Sequence, residues 1–355
     1  MAMSIRLVLV VTAVVFGVFD SHVTPVSAQQ GTAGGQGAGA PGQQSAMFAQ
    51  LKNAPWHIDA SWVPIPKDAA PLWEMNGAAV EKDGRFVYAT RRFDPPIVEI
   101  DAATGKIQRE FGTGLLVWPH GISVDRDGFI WIADATVGDP PSLGLMPRLD
   151  SALKAGRGQQ VMKLNKDGKV LMELGTKGVA GADDKTFNAP TSVAVAPNGD
   201  IFVTDGHNAE TNARVVKFSR EGKFITAWGK LGSGPGEFNV PHALAIDSRG
   251  RVLVADRQNR RIQVFDQNGQ FITQWTQFGG PSGIALTPDD TMFATGNRVV
   301  IVGSARDGSV IGKIDGINAE GIAVDSRGNV YASEVFDRSV KRIVPDSAKS
   351  ETSRR

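Results

Sequence analysis

From Asn76 onward, short apolar runs alternate with turn-forming residues, and the pattern returns with a period of about forty residues. The stretch Asn239–Trp275 shows the unit in full: ALAID, VLVAD, RIQVF and FITQW, separated by turns at 248–250, 257–259 and 267–269. Alternation within the runs and Gly or Asn between them predict four antiparallel strands joined by hairpins. First-strand cores GAAVE, GISVD, SVAVA, ALAID, GIALT and GIAVD begin at Gly77, Gly121, Ser192, Ala243, Gly283 and Gly321. Second strands follow as FVYAT, IWIAD, IFVTD, VLVAD, MFATG and VYASE. Six such units predict an all-β, six-bladed β-propeller over residues 56–346. The sixth unit runs out at Val344 with three strands, so Trp62-Val63-Pro64-Ile65 is expected to supply its fourth and close the ring.

The flanks have other signatures. Arg6 precedes an apolar run from Leu7 to Phe19, and Val26-Ser27-Ala28 offers a small-residue cleavage site, which predicts a signal peptide over 1–28 and an exported protein, periplasmic or extracellular. Residues 29–55 open with low-complexity Gly, Gln and Ala and are expected to be a linker, and 347–355 a disordered tail. One internal stretch breaks the period: residues 135–158 greatly exceed a hairpin turn. Either a lid over one face or a passive excursion with a short helix near Leu149–Lys154 would account for it.

With 38 basic against 37 acidic residues, the chain gives no electrostatic case for nucleic acid or an anionic membrane. No stable membrane insertion is expected once the signal is cleaved, and the expected partner is a small molecule or peptide bound by a monomer. Zero Cys excludes a disulfide framework, so apolar packing must hold the fold.

The chemistry lies at the residue just before each first-strand core: Asn76, His120, Thr191, His242, Ser282 and Glu320. These form one polar ring about the axis, and alternate blades contribute His120, His242 and Glu320, a donor set suited to zinc with an open position, with Mn or Fe also compatible. Fourteen residues on, Thr90, Asp134, Asp205, Asp256, Gly296 and Glu334 form a second level, whose carboxylates are expected to accept backbone N–H bonds in the turn that follows. Just beyond, Arg91, Arg257 and His207 are expected near the channel mouth.

Three motifs carry a resemblance: WPHGISVDRDGFIWIAD at 118–134, FNAPTSVAVAPNGDIFVTDGHNAETNARVVKFSREGKFITAWG at 187–229, and FNVPHALAIDSRGRVLVADRQNRRIQVF at 238–265. The units resemble NHL repeats, and the span from Trp56 to Pro345 is similar to peptidyl-α-hydroxyglycine α-amidating lyases. The resemblance implies a zinc site in which His120 and His242 match two of three ligand histidines and Glu320 stands at the third. It implies active-site arginines at Arg91 and Arg257, and places His207 where those enzymes have a proposed tyrosine base. It also implies a calcium site through the backbone carbonyls of Ala78 and Ile122, with Gly321 where that family has an Asp. The implied reaction cleaves a carbinolamide to an amide and glyoxylate, for which a neutral His207 would be a base titrating at roughly 6 to 7.5. A different metal-dependent propeller hydrolase, of lactonase or esterase type, and a non-catalytic NHL binding module remain alternatives.

Overall fold

A computed structural model describes residues 46–62, 74–135 and 155–346. The expected signal peptide, the expected linker up to residue 45, Val63–Ile65, the insertion from 136 to 154 and the tail 347–355 lie outside the described residues. Everything described falls within the unit Gln36–Arg355.

The strands, β1 to β24 in chain order, assemble into six four-stranded antiparallel sheets. Five blades are consecutive, β2–β5, β6–β9, β10–β13, β14–β17 and β18–β21, and the sixth is ordered β1-β24-β23-β22. The innermost strands are β2 (Met75–Val80), β6 (Pro119–Val124), β10 (Pro190–Val195), β14 (Pro241–Ile246), β18 (Ile284–Leu286) and β22 (Gly321–Val324). Each touches the next and β22 touches β2, so they close a ring about the axis. Outer strands such as β5 (Ile107–Phe111) alternate half-buried and exposed residues, as a strand with one solvated face should.

Packing follows from the continuous apolar runs of the second strands. Residues in β7 (Ile130–Asp134), β11 (Ile201–Asp205) and β15 (Val252–Asp256) are buried throughout, because each of these sheets packs a blade on both faces. Apolar clusters accordingly fill the wedges between blades. Tyr88 and Ile97 pack with Ile130 and Ile132 between the first two, and Val87 and Val98 pack with Tyr331 and Val340 between first and sixth. The hairpins after the inner strands turn through Gly84, Gly128, Gly199, Gly250 and Gly328 at positive φ, and Asp290 takes that conformation in the fifth blade.

The ring closes one short segment earlier than the sequence suggests. β1 (Trp56–Ile58) pairs antiparallel with β24 (Ser339–Pro345), in the register Trp56↔Pro345 and Ile58↔Ile343. Trp62 instead packs on Tyr331 and donates its indole N–H to Ala102 O at 3.0 Å. Trp56-His57-Ile58 has three backbone N–H groups for the edge, whereas Pro64 would have removed one from the expected strand. The docked region also begins inside the expected linker, since Phe48 is buried between the fourth and fifth blades and Asn53 bridges Lys313 in parallel fashion. No helix among the described residues is long and apolar enough to cross a membrane.

Candidate metal centre

Local sequence aims the ring residues inward. Pro119 and Pro241 open β6 and β14, at the first position of a strand, where a missing N–H is tolerated. The ladder is irregular between Pro119 and Ile122 and between Pro241 and Ala243, a bulge that re-aims His120 and His242 toward the axis. Both line the axial cavity of about 320 Å³, together with Asn76, Thr191, Ser282 and Glu320. His207 arrives by another route. After Asp205 the chain turns at Gly206 (φ 136°), where a Cβ would collide with Asn212 O, so only glycine permits the turn that brings His207 to the cluster.

One donor atom from each of His120, His207, His242 and Glu320 lies within 4.8 Å of every other. The imidazoles of His120 and His242 pack edge to face at 4.6 Å between centroids, and His207 stands 4.9 Å from His120 and 5.3 Å from His242. Two of the three rings are anchored. His120 Nδ1 lies 2.7 Å from Thr191 O and His242 Nδ1 lies 2.7 Å from Ser282 O. A carbonyl can only accept, so each Nδ1 carries the proton and each neutral ring turns an Nε2 lone pair to the cluster. Both Nε2 atoms are buried without a hydrogen-bond partner. His242 Nε2 nevertheless sits 3.0 Å from Glu320 Oε1, close but out of line for a hydrogen bond.

The electrostatics match that reading. Burial, then the neighbouring His242 and Arg92, hold His120 well below its ordinary 6.5. Burial and the neighbouring His120, His242 and Arg257 do the same to His207, and burial and Arg257 lower His242. Burial alone would raise the Glu320 carboxyl, but His242, Arg257 and His120 outweigh it and hold it well below 4.5. With the imidazoles neutral, Arg257 is a full positive charge beside that carboxylate, its Nη1 3.4 Å from Oε1. Three neutral or anionic donors converging on buried, unpartnered lone pairs fit a divalent cation: ligand atoms ~2.0–2.1 Å from a tetrahedral zinc stand ~3.3 Å apart.

A domain family described as a 6-bladed beta-propeller matches residues 182–274. The peptidyl-glycine alpha-amidating monooxygenase of Mus musculus is 38% identical over 201 residues, 53% of this chain and 18% of that protein, so the chain spans under a fifth of its length. A probable peptidyl-alpha-hydroxyglycine alpha-amidating lyase of Caenorhabditis elegans is 38% identical over 243 residues, covering 61% of this chain and 60% of that one. NHL repeat-containing protein 3 of Mus musculus is 30% identical over 290 residues, 75% of this chain and 78% of that protein. The chain belongs to the NHL-repeat propellers. The fold is also that of a gluconolactonase from Xanthomonas campestris, with TM-score 0.57 at 13% identity over 83% of this chain and 96% of that one.

Within this NHL propeller the expected site residues divide. His120, His242, Glu320, His207 and Arg257 come together. Arg91 does not join them: its guanidinium is bidentate on Glu110 of the outer strand β5, at 3.1 and 2.7 Å, and its Nε donates to Pro95 O. The arginine that the first blade brings to the cluster is Arg92, stacked 4.2 Å over Trp118 and close enough to Glu320 and His120 to act on their charge. A hairpin one residue longer explains the difference. β2 and β3 (Phe86–Arg91) pair Val80 with Val87, leaving residues 81–86 between them, whereas β14 and β15 pair Ile246 with Val252, leaving 247–251. That extra residue makes Arg91 the counterpart of Asp256 and Arg92 the counterpart of Arg257. The consecutive Arg-Arg was the available signal, and strand alternation sends the two side chains opposite ways.

The second level is structural, and its bonds run backward along the chain. Asp134, Asp205, Asp256 and Glu334 accept backbone N–H bonds from Trp118, Asn188, Asn239 and Asn318, in the segments that lead into the inner strands, and among the described residues the following turn contributes only the side-chain amides of Asn212 and Asn259 to Asp205 and Asp256. Asp205 and Asp256 also pair with Arg214 and Arg261. Ala78 and Ile122 line the axial cavity. A Cβ at Gly321 would come within 2.7 Å of Asn76 O, so position 321 has neither the carboxylate nor the room for one, and calcium there would depend on backbone carbonyls.

Proposed function

We propose that the chain is a metal-dependent lyase acting on a peptidyl-α-hydroxyglycine-like carbinolamide and releasing an amide and glyoxylate. The observation that carries this reading is the convergence of two anchored, unpartnered Nε2 atoms with the Glu320 carboxylate, in a chain similar to proteins bearing that name. His120, His242 and Glu320 would hold the ion, zinc by donor type. Such an ion supplies Lewis acidity toward the substrate's oxygens.

The remaining work falls to side chains. Arg92 and Arg257 offer forked cations to the substrate carboxylate. No carbonyl anchors the His207 ring among the described residues, unlike the rings of His120 and His242, and its depressed pKa keeps it neutral and able to accept a proton. His207 takes the hydroxyl proton, the carbon–oxygen double bond forms, and the carbon–nitrogen bond breaks with its electron pair going to nitrogen. The same imidazolium returns the proton to the amide nitrogen. A hydrolase of lactonase type is the second reading, favoured by Glu320, whose charge weakens the Lewis acidity that a third imidazole would leave intact. Metal content and glyoxylate release from an N-acyl-α-hydroxyglycine, measured on residues 29–355, test both. Bound metal without glyoxylate, but with lactone or ester hydrolysis, would move the assignment to the second reading.

A further inference from the structure

The six-fold ring has a three-fold chemistry. The ligands sit on the second, fourth and sixth blades, and the intervening blades carry Asn76, Thr191 and Ser282 at the same level. Opposite the residues that follow the ring, the second strands of the odd blades hold Thr90, Thr204 and Thr295, whereas those of the fourth and sixth blades hold Ala255 and Ser333. Two of the odd-blade residues reach forward to the ligand strands, while the Ser282 hydroxyl has no hydrogen-bond partner. Asn76 Nδ2 donates to Pro119 O and is itself held by Thr90, whose hydroxyl donates to Asn76 Oδ1 at 3.2 Å. Thr191 does the same on the next ligand strand: its hydroxyl donates to Pro241 O at 2.6 Å and lies 2.9 Å from Thr204 Oγ1.

Thr191 differs from Asn76 because it also faces backward. Its carbonyl anchors His120 Nδ1 at 2.7 Å, while its hydroxyl grips the carbonyl of the residue that immediately precedes His242. Thr191 is fully buried, so no solvent competes for either bond. We propose that Thr191 is a positioning residue that sets the separation of the His120 and His242 donor atoms, and hence the affinity and geometry of the metal site. The inference rests on the metal reading above. The Thr191 side chain hydrogen-bonds Thr204 and Pro241 and neither cluster imidazole. Removing the hydroxyl leaves the His120 anchor in place but frees its carbonyl to drift relative to β14, and the loss of such supporting bonds lowers metal affinity by about 10–100-fold.

The test compares wild type, T191V and T191S in chelator competition for zinc, with the visible spectrum of the cobalt(II) form as a readout of geometry. Expected are a 10–100-fold weaker zinc site and an altered cobalt spectrum in T191V, with T191S within about twofold of wild type because the hydroxyl is restored. Thermal unfolding of the chelated proteins separates loss of fold from loss of site. If wild type binds zinc and T191V binds it as tightly with the same spectrum, the positioning role is overturned while the metal reading stands. Failure of wild type to bind any divalent cation overturns both. If T191V does not fold, T191S decides alone: a tenfold loss there, with the hydroxyl present, overturns the role.

Discussion

His242 Nε2 and Glu320 Oε1, from the fourth and sixth blades, stand 3.0 Å apart as two electron-pair donors out of line for a hydrogen bond. Donors so close repel unless a cation lies between or beside them, and Arg257 at 3.4 Å offsets only part of that. Glu320→Gln should therefore weaken metal binding by about 10–100-fold, while Glu320→His should keep the site. Titration with zinc against a chromophoric chelator reads both, and unchanged affinity in E320Q would remove Glu320 from the ligand set.

His207→Ala should lower turnover by about a hundredfold or more, as for loss of a general base, with bound metal unchanged. His207→Tyr should retain measurable activity, since a phenolate can accept the same proton. Loss of metal together with turnover in the alanine variant would make His207 a fourth ligand instead.

The pH profile follows from burial. The sequence alone suggests a base titrating at roughly 6 to 7.5, but His207 is held well below 6.5 by its enclosure and by the adjacent His120, His242 and Arg257. Turnover should thus be level through neutrality and decline only in acid, below the ordinary imidazole value. A steady rise between pH 6 and 7.5 would contradict the assigned environment.

Stability of the chelated protein should fall over the same acid range. His120, His207 and His242 have lower pKa values folded than unfolded, so the unfolded chain takes up protons first as pH drops below about 6.5. Glu320, also lowered, adds a further loss below its ordinary 4.5. Calorimetric melting points should decline from about 6.5 downward, although the raised Asp134 carboxyl, at about 6, acts in the opposite sense; the same acid dependence in a His120→Gln/His242→Gln variant would refute the coupling.

Arg91 and Arg92 should separate cleanly. Arg92→Ala is expected to raise KM or lower kcat with little change in melting temperature. Arg91→Ala leaves Glu110 without its bidentate partner and should cost about 1–3 kcal/mol of stability, with turnover per folded molecule retained. Steady-state kinetics alongside denaturant unfolding would expose a reversal of these roles.

The all-β class, the six blades and the ring carrying His120, His242 and Glu320 were legible in the sequence, because a repeat spells out its own alignment. Identical spacing of GISVD, ALAID and GIAVD places the preceding residues at one level, and six-fold geometry then points alternate blades at one axis. The buried Asp134, Asp205 and Asp256 were likewise readable as structural, although the segments they hold were not, since those bonds join residues 16 or 17 apart through the sheet.

What the repeat could not settle was everything that breaks it. One extra residue in the β2–β3 hairpin exchanged Arg91 for Arg92, a shift invisible until strand pairing fixed which residues face each other. Ring closure by Trp56–Ile58 depended on which segment meets β24 in space, and Pro64 argued only weakly against the alternative. The approach of His207 needed the turn at Gly206, and the span of Thr191 between two ligand strands needed neighbouring blades placed side by side. Sequence determines a strand's pattern through local sterics and alternation. Contacts between blades are set by long-range packing, and only there do these atoms meet.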